Sequence, residues 1–333
     1  MRRSIVACLM TSLLKTTSSH LDTGAHSHVP VAAVDRNGFD ESIHYGTVVV
    51  FVADSSTVLA GHGDSVIYPR SSLKPLQAQA MIECGLSLTT QQLAVGCASH
   101  DGSAEHLDVV RSILTSVGLE VDDLRTTPDL PFDREQAERI LAGGGERNPL
   151  QMNCSGKHAA MLATCQKMGW TTDSYLDLEH PLQQAIISTL ERLSGQPITH
   201  IGVDGCGAPT HALPMSALAR AIAQVADERG AVWNAMTSHP VLVGGPSRPV
   251  TRLMQAVPGL LAKDGAEGVM VAALPGGPSI VVKVSDGASR AAALVAASAL
   301  RLCGVDVPSE IDRDLAPPAL GGGEPVGRVR SLL

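Results

Sequence analysis

Hydrophobic positions in this chain fall into short runs near both ends and into helical spacing between them. Four runs are rich in valine, isoleucine and alanine: residues 47–53, 58–61, 269–274 and 280–284. Turn-forming residues separate the members of each pair, Asp-Ser-Ser in the first and Pro-Gly-Gly-Pro in the second. Such runs bounded by turns are typical of β-hairpins. The pattern predicts an antiparallel sheet built from both chain ends, at about 45–62 and 268–284.

Between the hairpins, apolar residues recur every three or four positions, as they do on one face of a helix. The predicted helices cover residues 76–83, 104–116, 134–142, 158–168, 182–193, 216–225 and, after the second hairpin, 288–302. The fold class that follows from this order is α+β. We expect one antiparallel sheet with flanking helices and an inserted helical region at about 72–265.

The chain is expected to form a single domain at residues 29–305, with a segment of another kind at each end. Residues 1–28 show no period and are expected to be disordered. Their first residues share features with a signal peptide, but polar residues interrupt the apolar run and no convincing cleavage site follows. Residues 316–333 contain Pro-Pro and Gly-Gly-Gly and are expected to be a flexible tail.

Composition argues against two classes of protein. The net charge of −8 and the aromatic content of 2% disfavour contact with phosphates and stacking on bases, so nucleic-acid binding is not expected. No apolar stretch reaches the roughly 18–20 residues of a membrane span, so we expect a soluble, cytoplasmic protein. Seven cysteines, an odd number in a long chain, do not suggest a disulfide framework. Cys154 and Cys206 differ from the others, because glycine and polar residues flank them.

A Ser-x-x-Lys motif at residues 71–74 holds a hydroxyl and an amine three positions apart. If Ser71 begins a helix, the Lys74 side chain lies one turn on and faces the same way. Penicillin-recognising enzymes use this motif for their nucleophile, but serine is also a preferred helix cap. On these four residues alone, a catalytic pair and a helix cap followed by a solvated lysine are both open.

Five segments are unusually rich in glycine, serine, lysine, histidine and cysteine: SSLK at 71–74, ASHDG at 98–102, NCSGKHAA at 153–160, GVDGCGAPTHALP at 202–214 and KDGAEG at 263–268. In order and wording they resemble the asparaginase II family of the Rhizobium etli type, the class 3 L-asparaginases. The resemblance runs from about Val29 to Val305. It implies a fold similar to that of serine β-lactamases and glutaminases.

The resemblance implies two Ser–Lys pairs, Ser71 with Lys74 and Ser99 with Lys263. Ser71 would be the nucleophile and Lys74 its base, while Ser99 and Lys263 would complete a proton relay towards the leaving ammonia. A lysine acts as a base only as the neutral amine. Two ammonium groups that converge on one pocket lower each other's pKa, which meets that requirement.

A zinc site is the second implication of the resemblance. Thiolates favour zinc among the common metals, and chemistry alone would combine the two unusual cysteines with His158. The family pattern instead implies Cys154, Lys157 and Cys206 as ligands, with water in a fourth position. The metal would tune substrate binding more than chemistry. The alternative is that both cysteines are free thiols near a polar pocket.

Three further residues are candidates for holding the substrate. Asp204 could accept a hydrogen bond from an α-ammonium group, Arg70 could pair with a carboxylate, and His158 could contact the substrate or orient a ligand. The sequence departs from the family at Asp264, where relatives often have threonine or serine. A carboxylate pointing into the site there would repel a substrate carboxylate.

The implied activity is hydrolysis of L-asparagine to L-aspartate and ammonia through a serine acyl-enzyme, with weak activity on glutamine. The domain of residues 29–305 would then be the catalytic domain, and the resemblance also implies a homodimer. Two rival functions are kept. One is a penicillin-interactive hydrolase, disfavoured because no Ser-Asp-Asn follows and Lys-Thr-Gly is not intact. The other is a non-catalytic zinc-binding or amino-acid-sensing protein.

Overall fold

A computed structural model of the chain describes residues 28–61 and 65–333. The strands are β1 Val29–Arg36, β2 Phe39–Val52, β3 Ser55–Ala60, β4 Val66–Ile67, β5 Ile201–Val203, β6 Pro209–His211, β7 Leu213–Pro214, β8 Leu261–Gly265, β9 Val269–Ala273, β10 Ser279–Val284, β11 Ala319–Gly321, β12 Glu324–Gly327 and β13 Val329–Ser331. The helices are α1 Lys74–Glu83, α2 Thr90–Gly96, α3 Ala104–Ser116, α4 Arg134–Ala142, α5 Ser155–Met168, α6 Pro181–Ser194, α7 Met215–Asp227, α8 Ala231–Ser238, α9 Pro240–Val243, α10 Pro249–Ala256, α11 Ala292–Leu302 and α12 Asp312–Leu315. The predicted disorder at 1–28 lies outside the described residues, apart from His28.

An antiparallel sheet of seven strands joins the two ends of the chain. Its order is β13-β1-β2-β10-β9-β8, and β3 also pairs with β2. The long strand β2 connects the two halves, because its valines pair with those of β10 in the register Val48↔Val282 and Val49↔Val281. The predicted α+β class, with a sheet from both chain ends and a helical region between, is confirmed. Each of the predicted helices is present, with its ends moved by at most a few residues.

The central strands are buried on both faces. Every residue of β9 is buried, and helices α7 and α11 both pack against β9 and β10. Strands covered on both sides are continuously apolar rather than alternating, which explains the uninterrupted Val/Ala runs. Small alanines on α11 allow the helix to approach the sheet closely. In the ranges that the structure describes, no helix is both long enough and apolar enough to cross a bilayer.

The prediction of a flexible tail at 316–333 is wrong. Strands β11 and β12 form a hairpin whose turn contains Gly322 and Gly323, both with positive φ. Strand β13 then pairs with β1 in the register Ala33↔Arg330. The glycines therefore provide the backbone conformation of a tight turn, and the last strand completes the edge of the main sheet. The domain extends past its predicted end at residue 305.

Strand β13 gives a test of this ordered tail. Val329 is 6% exposed in the core, whereas Leu320 on β11 is 53% exposed. We expect Val329→Ala to lower the free energy of unfolding by about 1–2 kcal/mol, because it removes buried methyl groups and leaves a cavity. Leu320→Ala is the matched control and should change it by less than about 0.5 kcal/mol. Denaturant unfolding measures both values, and two equally neutral substitutions would contradict an ordered tail.

Candidate active site

Ser71 and Lys74 lie on one continuous helical segment. A 3₁₀ turn at Arg70–Leu73 leads directly into α1, whose first residue is Lys74. The Lys74 backbone N–H donates to the Ser71 carbonyl, so the two side chains are one turn apart on the same side. Ser71 makes no side-chain cap, and Lys74 is 1% exposed. The alternative of a capping serine with a solvated lysine is therefore excluded.

The Lys74 amine is directed at the second predicted serine. Its Nζ donates to the Ala98 carbonyl and to Ser99 Oγ, the latter at 3.0 Å. Lys263 is fully buried on β8, and its Nζ donates to the carbonyl and to the carboxylate of Asp264. Within the described ranges no hydrogen bond joins Lys263 to Ser99. The structure thus joins Ser99 to Lys74 instead, with Lys263 nearby.

The charge of Lys74 acts on Lys263. Burial lowers the pKa of Lys263 to about 8, the carboxylate of Asp264 opposes this effect, and the charge of Lys74 lowers the pKa further. Ser71 is half-buried, and in the described part of the chain its hydroxyl has no hydrogen-bond partner. The Ser71 hydroxyl is thus partly open, and it lies one turn before the buried Lys74 amine on the same helical segment.

The edge strand β8 is held directly against the serine turn. Ser72 Oγ donates to the Lys263 carbonyl at 3.2 Å. A Cβ at Gly265 would lie 2.4 Å from the Pro69 carbonyl oxygen and 2.9 Å from Ser72 Oγ. Only glycine allows this approach, so the glycine of the Lys-Asp-Gly segment brings Lys263 to the serines.

The charge of Asp264 is balanced within the protein, because a cation contacts each of its carboxylate oxygens. Oδ1 accepts from Lys263 and Oδ2 accepts from Arg248. Burial would raise the pKa of Asp264, but the charges of Lys263 and Arg248 hold it well below its ordinary value. The Arg248 guanidinium lies over the face of the Phe132 ring, with 4.4 Å between Arg248 Cζ and the ring centroid.

The three predicted metal ligands converge at the start of α5. Lys157 Nζ donates to Cys206 Sγ at 3.1 Å. A hydrogen bond from Cys154 lowers the pKa of Cys206 to about 5; burial opposes this shift and the Lys157 charge assists it. The same hydrogen bond, together with burial, raises the pKa of Cys154 to about 12. The two sulfurs and the amine therefore form one coupled, buried cluster.

Arg70 and Asp204 form an ion pair at the turn that carries Ser71. Arg70 Nε donates to Asp204 Oδ1 at 2.6 Å. Burial would raise the pKa of Asp204, but the charges of Lys157 and Arg70 lower it overall. Arg70 has φ of 54°, an uncommon conformation for a residue with a side chain, and such strain clusters at functional sites. The turn that presents Ser71 thus begins with a strained residue fixed by an ion pair.

The hydrogen bonds around His158 assign its tautomer. The Arg125 backbone N–H donates to the Tyr175 hydroxyl at 3.0 Å, and that hydroxyl lies 2.8 Å from His158 Nδ1. The Tyr175 O–H finds an acceptor only if it donates to His158 Nδ1, which leaves the ring proton of His158 on Nε2. Nε2 is buried without a partner among the described residues. Burial lowers the pKa of His158 well below its ordinary value, so a neutral donor faces the site.

Sequence reasoning missed two residues of this region. Tyr175, which orients His158, lies outside every glycine-rich segment, so nothing in its surroundings marks it. His211 lies inside GVDGCGAPTHALP, and both of its ring nitrogens are buried without a partner in the described ranges. Burial lowers the pKa of His211 to about 4, and the Lys157 charge lowers it further. Its position inside the motif was the available signal.

Comparison with known proteins gives a family and remote structural neighbours. The sequence matches the profile of the L-asparaginase II family over residues 32–331. No curated protein matches it. Two crystal structures are similar at 14% identity, a candidate β-lactamase from Bacteroides dorei DSM 17855 with a TM-score of 0.39 and a β-lactamase from Mycobacterium bovis with a TM-score of 0.34. Each alignment covers 77% of this chain; it covers 93% of the Bacteroides dorei protein and 94% of the Mycobacterium bovis protein. At these scores the likeness carries no argument here.

Gly156 tests how the cluster is positioned. A Cβ at Gly156 would lie 2.3 Å from the Val95 carbonyl oxygen, whereas a Cβ at Gly96 would lie an ordinary 3.5 Å from the Ala160 Cβ. Gly156→Ala should push α5 away from α2 and lower the free energy of unfolding by about 1–3 kcal/mol.

Gly96→Ala is the matched helical control and should be neutral or stabilising by up to about 1 kcal/mol. Thermal unfolding of both variants makes the measurement. Equal stability of the two variants would contradict the close packing of α5 on α2.

Proposed function

Because the chain belongs to the L-asparaginase II family, which makes it an asparaginase-type hydrolase, we propose that it converts L-asparagine to L-aspartate and ammonia. The observation that carries this proposal is the buried Lys74 amine, which bonds to Ser99 and begins the helix one turn after Ser71. A buried amine beside a half-open hydroxyl is the arrangement that a serine nucleophile with a lysine base requires.

The hydrogen bonds of Lys74 suggest how it would accept the serine proton. A neutral amine has two N–H bonds and one lone pair. Ala98 and Ser99 provide two acceptors for those N–H bonds, which leaves the lone pair for Ser71 O–H. Ser71 Oγ then attacks the side-chain amide carbon while its proton moves to Lys74.

The remaining steps return the proton and regenerate the serine. Lys74 gives its proton to Ser99 Oγ while Ser99 gives its own hydroxyl proton to the departing amide nitrogen, which leaves as ammonia; Lys263 would be the second amine of this relay. The acyl-enzyme on Ser71 then reacts with water, and the same amines accept the proton of that water. L-Aspartate and the free serine hydroxyl result, so atoms and protons balance.

Three side chains are suited to hold an amino acid. Asp204 would accept a hydrogen bond from the α-ammonium group, and Arg70 would pair with the α-carboxylate. The Arg70 guanidinium and the Asp204 carboxylate are adjacent, because Arg70 Nε lies 2.6 Å from Asp204 Oδ1. His158 Nε2–H is an unpaired buried donor, and a substrate oxygen would satisfy it. Glutamine differs from asparagine by one methylene, worth about 1–3 kcal/mol in a fitted pocket, so weak glutaminase activity is part of the proposal.

Substitutions of two adjacent serines, Ser71 and Ser72, test which hydroxyl is the nucleophile. Ser71→Ala and Lys74→Met should each lower kcat for ammonia release from L-asparagine by about a thousandfold or more, because the covalent step is lost. Ser72→Ala removes one buried hydrogen bond, worth about 1 kcal/mol, and should stay within about tenfold of the unchanged protein.

Acid-quenched mass spectrometry should find an aspartyl adduct on the peptide that contains Ser71. Full turnover by Ser71→Ala would refute the assignment. Release of product from a chromogenic β-lactam, with none from asparagine, would favour the penicillin-interactive alternative. Bound zinc without hydrolysis of any of these substrates would favour a binding or sensing role.

The cluster of Cys154, Lys157 and Cys206 fits a zinc ion. Among the described residues no group of three histidine, cysteine, aspartate or glutamate side chains has a metal-binding arrangement, so the proposed site takes Lys157, as the neutral amine, for its third donor. The low pKa of Cys206 supplies a thiolate, which zinc prefers. When bound, zinc would supply positive charge and an open coordination position beside the substrate.

Zinc content tests this site directly. We expect about one zinc per chain in the purified protein, as in other sites with a few protein ligands, and its loss in Cys206→Ser. Cys303 is exposed, so Cys303→Ser is the matched control and should keep the metal. Elemental analysis after dialysis makes the measurement, and equal metal content in both variants would contradict the assigned ligands.

A homodimer stays a prediction of the family resemblance, and a cytoplasmic location stays a prediction from the lack of long apolar stretches in the sequence. Support for self-association comes from β2, where Phe39, Ile43 and Tyr45 are all exposed apolar side chains. Light scattering of the purified protein measures its mass in solution, and a monomer of 34.6 kDa would contradict the dimer.

A further inference from the structure

The Lys-Asp-Gly segment forms a chain of three charges with a residue from another element. Asp264 lies between Lys263 on its own strand and Arg248, which immediately precedes α10. One carboxylate oxygen accepts from each cation, so neither cation has the carboxylate to itself. The carboxylate is therefore shared rather than given wholly to Lys263.

Arg248 is fixed in this position from its other side. The Phe132 ring covers the guanidinium at 4.4 Å from its centroid, a cation–π geometry. Phe132 itself is 57% exposed. Arg248 Nη1 is buried and has no partner within the described ranges. Stacking therefore holds the guanidinium against Asp264 even though one of its nitrogens gains no hydrogen bond.

The charged groups that act on Lys263 come from every element packed around it. Asp264 on the same strand favours the ammonium form, while Lys74 on α1 and Arg248 favour the neutral amine. Cys97, at the end of α2, is also within electrostatic range, but burial raises its pKa to about 12 and keeps it neutral. The facing strand β9 contributes only apolar side chains. The protonation of Lys263 thus depends on how much of Asp264 remains available to it.

We propose that Arg248 is a positioning residue for Lys263: it shares the Asp264 carboxylate, and so leaves the buried amine able to give up its proton. The inference rests on the proposed function only in so far as Lys263 belongs to the proton relay. The proposal also explains how an aspartate can be accommodated at position 264: Arg248 offsets the negative charge that Asp264 places beside Lys263. Arg248 and Asp264 act together, and either residue alone would disturb Lys263 in opposite directions.

The direct test measures the titration of Lys263 by NMR. The chain has six lysines, at positions 15, 74, 157, 167, 263 and 283, so protein labelled with carbon-13 at lysine Cε gives a short spectrum. Lys263→Arg assigns the signal. We expect Arg248→Met to raise the titration midpoint of Lys263 by about one pH unit, because the whole carboxylate then stabilises the ammonium.

Two further variants separate charge from structural damage. Asp264→Asn should lower the Lys263 midpoint, and Arg248→Lys should keep it near that of the unchanged protein. Arg134 is almost fully exposed, and its partner among the described residues is Glu138, so Arg134→Met controls for loss of an arginine elsewhere. An unchanged midpoint in Arg248→Met, or shifts in the same direction for Arg248→Met and Asp264→Asn, would overturn the proposal.

The pH profile of ammonia release provides the functional arm. Activity that needs neutral Lys263 rises with pH through its pKa of about 8. Raising that pKa moves the rise in kcat/KM to higher pH in Arg248→Met, and lowering it moves the rise to lower pH in Asp264→Asn. A higher KM with an unmoved profile would show Arg248 binding substrate instead and would overturn the proposal.

The two readouts keep the proposals separate. If the unchanged protein released no ammonia from asparagine, the proposed function would fail, while the NMR midpoints would still decide the role of Arg248.

Discussion

Burial of three lysines around one site is the constraint on which the rest of this structure depends. Lys74, Lys157 and Lys263 are all at most 2% exposed. An isolated ammonium in a protein interior loses its hydration, so it must either find acceptors and opposite charge or lose its proton. Each lysine meets this requirement differently: Lys74 faces a carbonyl and a hydroxyl, Lys157 faces a thiol cluster, and Lys263 faces a shared carboxylate.

The sheet made from both chain ends is what brings these lysines together. Lys263 comes from the edge strand β8, near the end of the chain, whereas Lys74 begins the first helix after the N-terminal strands. Gly265 permits β8 to lie directly on the turn that carries Ser71, since any side chain there would meet the Pro69 carbonyl. The site therefore forms only when strands distant in sequence have paired, and its geometry depends on the register of the whole sheet.

The sequence predicted those features whose cause lies in neighbouring residues, and it missed those that depend on contacts between residues distant in the chain. The bounds of α3 and α4 were predicted from apolar spacing as they stand, and the structure shows a local cause for where they begin: Ser103 and Asp133 cap the two helices with their own side chains. Strand β13 was missed because glycine- and proline-rich composition indicates disorder, while its order comes from pairing with β1 almost 300 residues away. The sharing of Asp264 by Arg248 was also invisible, since it depends on a tertiary contact. Lys157 entered only through the family resemblance; chemistry alone favoured His158.

Lys157 and Lys263 each lie close to an aspartate that is paired with an arginine, but the pKa of Lys157 is raised whereas that of Lys263 is lowered. Asp204 is close to Arg70 and Lys157, and Asp264 contacts Arg248 and Lys263. In both cases burial acts first to lower the pKa of the lysine. Lys157 also has the Cys206 thiolate beside it, and the charge of that thiolate, assisted by Asp204, outweighs burial and raises the pKa of Lys157. Lys263 has no thiolate, so burial and the neighbouring cations prevail and its pKa falls to about 8. The balance of neighbouring anions and cations thus favours the ammonium form of Lys157, which must lose its proton before it can bind zinc, and the neutral amine of Lys263.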